Sequence, residues 1–424
     1  LTSSLSAVDE VKENKLSGLR PVRVTTYSLS AILLAVGLAL AFNWGFRVLR
    51  AATFMYGMTY ATPPLIIRAY SRAFRHSIVT SDLWIQGRGG PLELRVIAPK
   101  DSPNAPVIVL VHGFAGNGIR DGLLNAFAHR LSQSGLKVVM PEIKSEKMLR
   151  IDRAAVGDVD DAIRWSAISS GQKVSVVGIS FSGGLVVSAA ANPDFADYVK
   201  ATLCISGYNS IARVGLFYLR EDVRRPDSQR YSETPTPNAL TLIALQYLDE
   251  LVPREDIGPF TNALRATLAQ GGSLEVPAVR ALTASQRVLL DDLLNVRTQA
   301  MRARYHAVLE RNRAELDYIS PIGKISQLRG SLYVVHGYGD RRIPTEEAEW
   351  TRAEAAHNGK VKVIISPWID HSVLVPQAPF REKVRLVYFM SEMFDEAVDP
   401  VPLQRVKGLR AATDAKARRY LVSK

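Results

Sequence analysis

From about residue 80 the chain alternates short apolar runs with segments of helical periodicity, and this alternation restricts the fold more than any other feature. The runs are SDLWIQG (81–87), LELRVIAP (92–99), PVIVLVHGF (106–114), LKVVMPEI (136–143), KVSVVGIS (173–180), ATLCISG (201–207), SLYVVHG (331–337) and KVKVIISP (360–367). The first two alternate apolar and polar residues, as half-buried strands do, and a glycine-rich turn at 87–90 joins them. The third is continuously apolar, the pattern of a central strand covered on both faces. Between the runs, residues 121–134 place Leu123, Leu124, Phe127, Ala128 and Leu131 at helical spacing before Gly135. Residues 156–168 predict a second helix, and GGLVVSAAA opens a third directly after a strand. Strands alternating with helices predict an α/β fold, with a mostly parallel central sheet flanked by helices.

Between ISG (205–207) and SLYVVHG (331–337) the strand pattern stops, and ALTLIALQYLDEL, FTNALRATLAQ and the long run from Ser285 to Ile319 read as helices. Residues 208–318 hold 14 arginines, 14 acids and no lysine. An insertion of this length is too long for a plain loop. It is expected as a helical cap over the carboxyl edge of the sheet, where open α/β sheets bind ligands.

The segment VVGISFSGG (176–184) joins an apolar strand to a helix through glycines and two serines. A nucleophile can be presented at the tip of such a turn when the residues two before and two after it are small. Ser180 has Gly178 before it and Ser182 after it, while Ser182 has Ser180 before it and Gly184 after it. The apolar run Val174, Val176, Val177 ends at Gly178, so Ser180 is the expected tip, with Gly183 opening the helix and Ser182 the rival. Upstream, His112-Gly113-Phe114 follows a buried strand. The backbone N–H groups of Phe114 and Phe181 are the expected oxyanion hole, and His112 reads as a structural hydrogen-bonding residue.

A serine hydroxyl needs a histidine to take its proton and a carboxylate to hold that histidine. Asp340 lies just past the SLYVVHG run and His371 just past the next, giving the order Ser180, Asp340, His371. Loops after consecutive parallel strands leave the same edge of a sheet, so the three side chains can meet. Asp370 is the rival acid, but a residue adjacent to His371 does not easily reach back to its ring. The other histidines, His76, His129, His306, His336 and His357, read as structural or exposed.

Charge adds a second expectation. The net charge is +12, and residues 47–76 and 397–424 contribute +5 each. The first of these follows a twenty-residue uncharged stretch, YSLSAILLAVGLALAFNWGF (27–46), long enough to cross a bilayer as a helix and flanked by aromatic residues. An uncleaved transmembrane anchor with basic flanks attracted to anionic lipid is expected. The uncharged run 51–67, broken by Pro63-Pro64, reads as an interfacial helix ending in a turn. No nucleic-acid motif accompanies the charge, so nucleic acid is not an expected partner. The single Cys204 lies in an apolar run, reads as a buried small hydrophobe, and excludes an intrachain disulfide or a CxxC site. No His-x-Glu or HExxH pattern supports a metal, and no cofactor is implied. The expected organisation is an N-terminal tail (1–26), the anchor (27–46) and a basic amphipathic juxtamembrane segment (47–78). A core in two parts (79–207 and 319–396) around the cap (208–318), and a basic tail (397–424), complete it.

The segments VLVHGF, VVGISFSGG, VVHGYGDRRIP and WIDHS make the chain resemble the α/β-hydrolase superfamily over roughly 80–205 and 319–395. It looks most like bacterial membrane-anchored members of that superfamily. The resemblance implies a Ser180–His371–Asp340 triad, a carboxylic ester substrate cleaved through an acyl-enzyme, and attachment to the bacterial inner membrane by a single span. The anchor and the apolar cap favour a small-molecule or lipid ester with a lipophilic acyl group. The same triad can serve a peptidase, an amidase or an acyltransferase, and a membrane-bound scaffold without activity is the alternative from a different class.

Overall fold

The computed structural model describes residues 43–403, apart from 61, 115–116, 232, 238 and 271–272. All but the last four residues of the expected membrane segment 27–46 lie outside the described residues, as does most of the tail 397–424. Among the described residues no helix is long and apolar enough to cross a membrane. The chain divides into two compact units, 1–48 and 49–424. Of the first, residues 43–48 are described and are helical.

The second unit is built on a sheet of eight strands: β1 (Ile78–Gly87), β2 (Gly90–Pro99), β3 (Val107–Val111), β4 (Lys137–Pro141), β5 (Val174–Ile179), β6 (Val199–Ile205), β7 (Ser331–Gly337) and β8 (Val361–Ser366). Their order is β1-β2-β4-β3-β5-β6-β7-β8. β2 is antiparallel to both β1 and β4, and every pairing from β4 to β8 is parallel. The hairpin turn expected at 87–90 pairs Gly87 with Gly90, whose φ of 109° is open to glycine at little cost. Strand β3 is buried at all five positions, as its unbroken apolar sequence requires.

Helices cover both faces, and polar residues fix their ends. Asp121 caps Gly122–Gln133 by accepting from Leu124 N at 2.9 Å. Asp152 caps Arg153–Ser170 by accepting from Ala155 N at 3.0 Å, so this helix starts three residues before the expected 156. Phe181–Ala191 is buried along its whole length between neighbouring layers, which explains its lack of a polar face. Between β6 and β7 the chain is helical, and its first and last helices there are Ile211–Tyr218 and Arg313–Ile319. The long helical run before Ile319 is broken at Val296, in the left-handed region at φ 48°, and again at Asn312.

The run 51–67 departs from expectation. Residues 51–59 are helical but do not lie free as an interfacial element, because Ala51, Ala52, Phe54 and Met55 are buried. The Phe54 ring meets Phe127 and Phe394 edge-on at 5.0 and 5.1 Å, and Tyr56 meets Trp368 at 5.6 Å. Aromatic packing onto the body holds this stretch. Only after Pro63-Pro64 does an amphipathic helix, Leu65–Phe74, turn an apolar end outward.

Candidate active site

Strand β5 runs one residue past the expected Gly178, to Ile179, and Ser180 is the residue between strand and helix. Its φ of 62° and ψ of −129° are costly for a side chain with a Cβ. The surrounding backbone enforces them: Ser180 N donates to Ile205 O, and Gly183 N donates to Ser180 O, each at 2.8 Å. The crowding also explains the small neighbours. A Cβ on Gly178 would stand 2.3 Å from Ser182 O, and one on Gly183 would stand 2.7 Å from Gly207 Cα.

Ser180 Oγ lies 2.8 Å from His371 Nε2, and His371 Nδ1 lies 2.7 Å from Asp340 Oδ2. The structure thus brings together three residues that are far apart in sequence. His371 is held at φ 53°, a second left-handed residue at the same site. Asp340 and His371 are buried, and Ser180 is half-buried. The other Asp340 oxygen accepts from Arg342 N at 2.9 Å and Ile343 N at 3.2 Å. Burial works against its charge, but the hydrogen bonds from His336 and His371 outweigh it and hold the carboxyl well below the usual carboxylate range. A carboxylate kept ionised, an imidazole oriented by it and a hydroxyl facing the free ring nitrogen can pass a proton to the ring as Oγ attacks an electrophile. The rival Asp370 is exposed.

A scan of protein-family models and a search of curated proteins find no match to the chain. Several solved structures are similar to it. An esterase from Pyrobaculum calidifontis is 19% identical, with 77% of this chain and 87% of that one covered and a TM-score of 0.43. The acylaminoacyl peptidase of Pyrococcus horikoshii is 13% identical over 76% of this chain and 42% of its own, with a TM-score of 0.45. A fungal esterase from Rhizomucor miehei is 14% identical over 80% and 91%, with a TM-score of 0.43.

Ser182 is not at the tip. It is fully buried, and its hydroxyl donates to the backbone carbonyl of His112 and meets both carboxyl oxygens of Glu146. The His112 ring is structural: Nε2 accepts from Ile143 N at 3.0 Å, and Nδ1 faces Gly113 O at 2.8 Å. Burial lowers its pKa and keeps the ring neutral, as that pair of bonds requires. Gly113 is a close approach, since a Cβ there would stand 2.9 Å from Ile179 O and 3.3 Å from Ser180 Cβ. Among the described residues neither Phe114 N–H nor Phe181 N–H donates to a protein group. Their rings stack at 4.5 Å on the two sides of the Ser180 turn.

Those two rings also form one wall of a small cavity of about 50 Å³. Its other walls come from Ile151 and from the region between β6 and β7, through Ile211, Val214, Leu242 and Leu309 among others. Of its polar wall residues, Gln246 is occupied with the Ile151 main chain, by bonds of 2.8 and 2.6 Å, and the Tyr218 hydroxyl donates to Arg342 O. The cavity surface is therefore chiefly apolar.

Several supporting residues carried no signal of their own in the sequence. His336, expected to be unremarkable, is fully buried with Nε2 2.9 Å from Ile343 O and 3.5 Å from Asp340 Oδ2. Thr345 accepts from Gly339 N and Asp340 N and donates to Gly337 O, bracing the Asp340 loop. Glu146 and Ser206 were not singled out either, although a serine two residues after the tip, where crowding favours glycine, hinted at a buried polar partner. Cys204 is buried, and burial pushes its thiol up to about 12. Among the described residues no group of three or more His, Cys, Asp or Glu is placed to hold a metal ion.

Proposed function

We propose that this chain is a serine hydrolase that cleaves carboxylic esters with apolar acyl groups. The observation that carries the reading is the continuous Ser180–His371–Asp340 hydrogen-bond chain at a strained strand-to-helix turn. Ser180 Oγ adds to the ester carbonyl carbon while His371 Nε2 takes the hydroxyl proton, and the carbonyl electron pair moves onto oxygen. The N–H groups of Phe114 and Phe181 receive that oxyanion. Collapse of the tetrahedral species expels the alcohol, which takes the proton from His371 and leaves an acyl-Ser180 ester. Water, deprotonated by His371, repeats the sequence and releases the acid. Asp340 orients the ring and stabilises its cation throughout. The apolar cavity beside Phe114 and Phe181 supports an apolar acyl group.

The test is p-nitrophenyl ester hydrolysis across acyl lengths, with fluorophosphonate labelling, for wild type, Ser180→Ala and Ser182→Ala. Turnover and labelling that vanish only in Ser180→Ala support the reading. Labelling without ester turnover moves the substrate to amides or acyl acceptors. An unlabelled wild type refutes the hydrolase and leaves the scaffold.

We also infer that the protein meets an anionic membrane surface through Leu65–Phe74. Leu65 and Ile66 are 74% and 62% exposed, with Arg68, Arg72 and Arg75 on or beside the same helix. The uncharged segment 27–46 precedes it in sequence, as a bacterial inner-membrane anchor would. For residues 49–403, co-sedimentation with anionic but not zwitterionic vesicles, lost in Leu65→Ser/Ile66→Ser, is the expected result. Equal binding to both vesicle types, or binding to neither, would refute this inference.

A further inference from the structure

One buried cluster under the Ser180 turn is unused by the proposed chemistry. It contains Ser182, Glu146 and the backbone of His112. Ser182 has a single hydroxyl proton, and the His112 carbonyl beside it can only accept. The Glu146 oxygens nevertheless lie 2.7 and 2.6 Å from Ser182 Oγ. One hydroxyl proton cannot serve both the His112 carbonyl and the carboxyl, and a wholly buried carboxyl without a cationic partner favours keeping a proton of its own to donate. Glu146 is wholly buried, and among the described residues no Lys or Arg pairs with it.

We propose that Glu146 is a positioning residue: as a neutral acid it donates to Ser182, and through Ser182 it ties the His112–Phe114 loop to the Ser180 turn. This rests on the reading of Phe114 and Phe181 as oxyanion donors, since those are the two segments joined. Ser182 follows Phe181 directly and holds the carbonyl of His112, two residues before Phe114. The His112 ring adds a second stitch, accepting from Ile143 N at the start of the short helix Lys144–Lys147 that carries Glu146. Three chain segments are thereby fixed around the space between the two donors. Loss of the proton from Glu146 would set a carboxylate against the Ser182 lone pairs and loosen that junction.

The groups facing Glu146 do not offset such a charge. His112 Nδ1 is 3.8 Å from Oε2 but is kept neutral by burial. Tyr208, fully buried, faces the carboxyl as a neutral phenol. Asp152, bonded to Ser145 Oγ at 2.8 Å, adds negative charge. Beyond the His112 ring, Glu142 stands at 4.0 Å and takes Lys147 at 3.6 Å and Arg120 at 3.8 Å for itself. Burial accordingly pushes the Glu146 carboxyl up to about 8.

The experiment is the pH profile of kcat/KM for wild type, Glu146→Gln and Ser182→Ala, from about pH 6 to about pH 10. The glutamine keeps a neutral donor in the same place. Wild type is expected to lose kcat/KM as pH rises through about 8, and Glu146→Gln to keep wild-type activity at neutral pH within about threefold and to lack that fall. Ser182→Ala is expected to lower kcat by about 10- to 100-fold with KM little changed, because the oxyanion donors are misplaced and not lost. An alkaline fall that persists in Glu146→Gln, a folded but inactive Glu146→Gln at every pH, or a fully active Ser182→Ala would each overturn the proposal. Infrared difference spectra give a readout that needs no substrate. A protonated-carboxyl band at neutral pH, absent in Glu146→Gln, is expected; its absence from wild type refutes the neutral acid. Failure of fluorophosphonate labelling would instead refute the hydrolase reading, and the two failures are thus distinguishable.

Discussion

Ser206 donates its hydroxyl to the backbone carbonyl of His371, pinning the histidine loop to the end of β6. The same segment accepts from Ser180 N through Ile205 O at 2.8 Å, and Ser206 N donates to Val335 O at 2.7 Å, on the strand that leads to Asp340. One fully buried serine therefore sits where the segments that carry Ser180, Asp340 and His371 meet. His371 must hold a left-handed backbone, which needs such a tether. Ser206→Ala should lower kcat by about tenfold with little change in KM, since a small misplacement of the base costs rate more than binding. Steady-state kinetics on a p-nitrophenyl ester decide it; unchanged kcat would leave the tether without catalytic consequence.

Asp340→Asn offers His371 an amide that can present its NH₂ to the ring, with the wrong tautomer as the result. In wild type, Arg342 N and Ile343 N hold the other carboxyl oxygen, so the oxygen facing His371 is fixed. A loss in kcat on the order of 10⁴-fold is expected, with the fold intact by circular dichroism. A loss below about tenfold would show that His371 is oriented by other contacts.

Gly113→Ala tests the close approach between the two sides of the site. The added methyl would stand 2.9 Å from the Ile179 carbonyl and 3.3 Å from Ser180 Cβ, so backbone must move. We expect kcat to fall by about 10- to 100-fold, because Phe114 shifts away from the oxyanion position. Wild-type kcat in this variant would remove the Phe114 N–H from the oxyanion hole.

Much of this site could be read from the sequence because it depends on local rules. Strand periodicity places Asp340 and His371 just past adjacent parallel strands, and the end of the apolar run at Gly178 favours Ser180 over Ser182. The supporting shell was harder to see. Ser206, Glu146 and Thr345 act through hydrogen bonds to His371, Ser182 and Gly337, which are 165, 36 and 8 residues away. Such bonds impose no periodicity on a chain. The helix at 51–59 is hard to place from sequence for a related reason, since an uncharged run suits a membrane interface and an aromatic pocket equally well. Phe127, Phe394 and Trp368 decide between them, and only the fold brings them near.

Glu347 joins the region between β6 and β7 to the sheet. Its carboxylate is wholly buried, pairs with Arg213 at 2.7 Å, and accepts from Asn209 N at 3.0 Å and Ser210 N at 2.8 Å. Those residues lead into Ile211–Tyr218, which walls the apolar cavity. Glu347→Ala would strand a nearly buried guanidinium and two amides, at a cost of about 3–5 kcal/mol. Urea unfolding should report that loss, and limited proteolysis should cut first within 208–318. Stability within about 1 kcal/mol of wild type would mean water replaces the carboxylate at no great cost.

Glu146 by itself makes the stability of the fold depend on pH. Its pKa rises from 4.5 to about 8 on folding, chiefly by burial. Between those values the folded chain keeps a proton that the unfolded chain releases, so rising pH favours unfolding. The contribution is fully present below about pH 4.5 and is lost as pH rises through about 8, at roughly 1.4 kcal/mol per pH unit. Glu146→Gln has nothing to titrate there, while every other group titrates as in wild type. Urea unfolding at about pH 5 and about pH 8 should therefore show wild type losing a few kcal/mol more than the variant between the two. If both lose the same amount, Glu146 is ionised in the folded protein at neutral pH, and its link to Ser182 runs in the opposite sense, with the hydroxyl donating to the carboxylate.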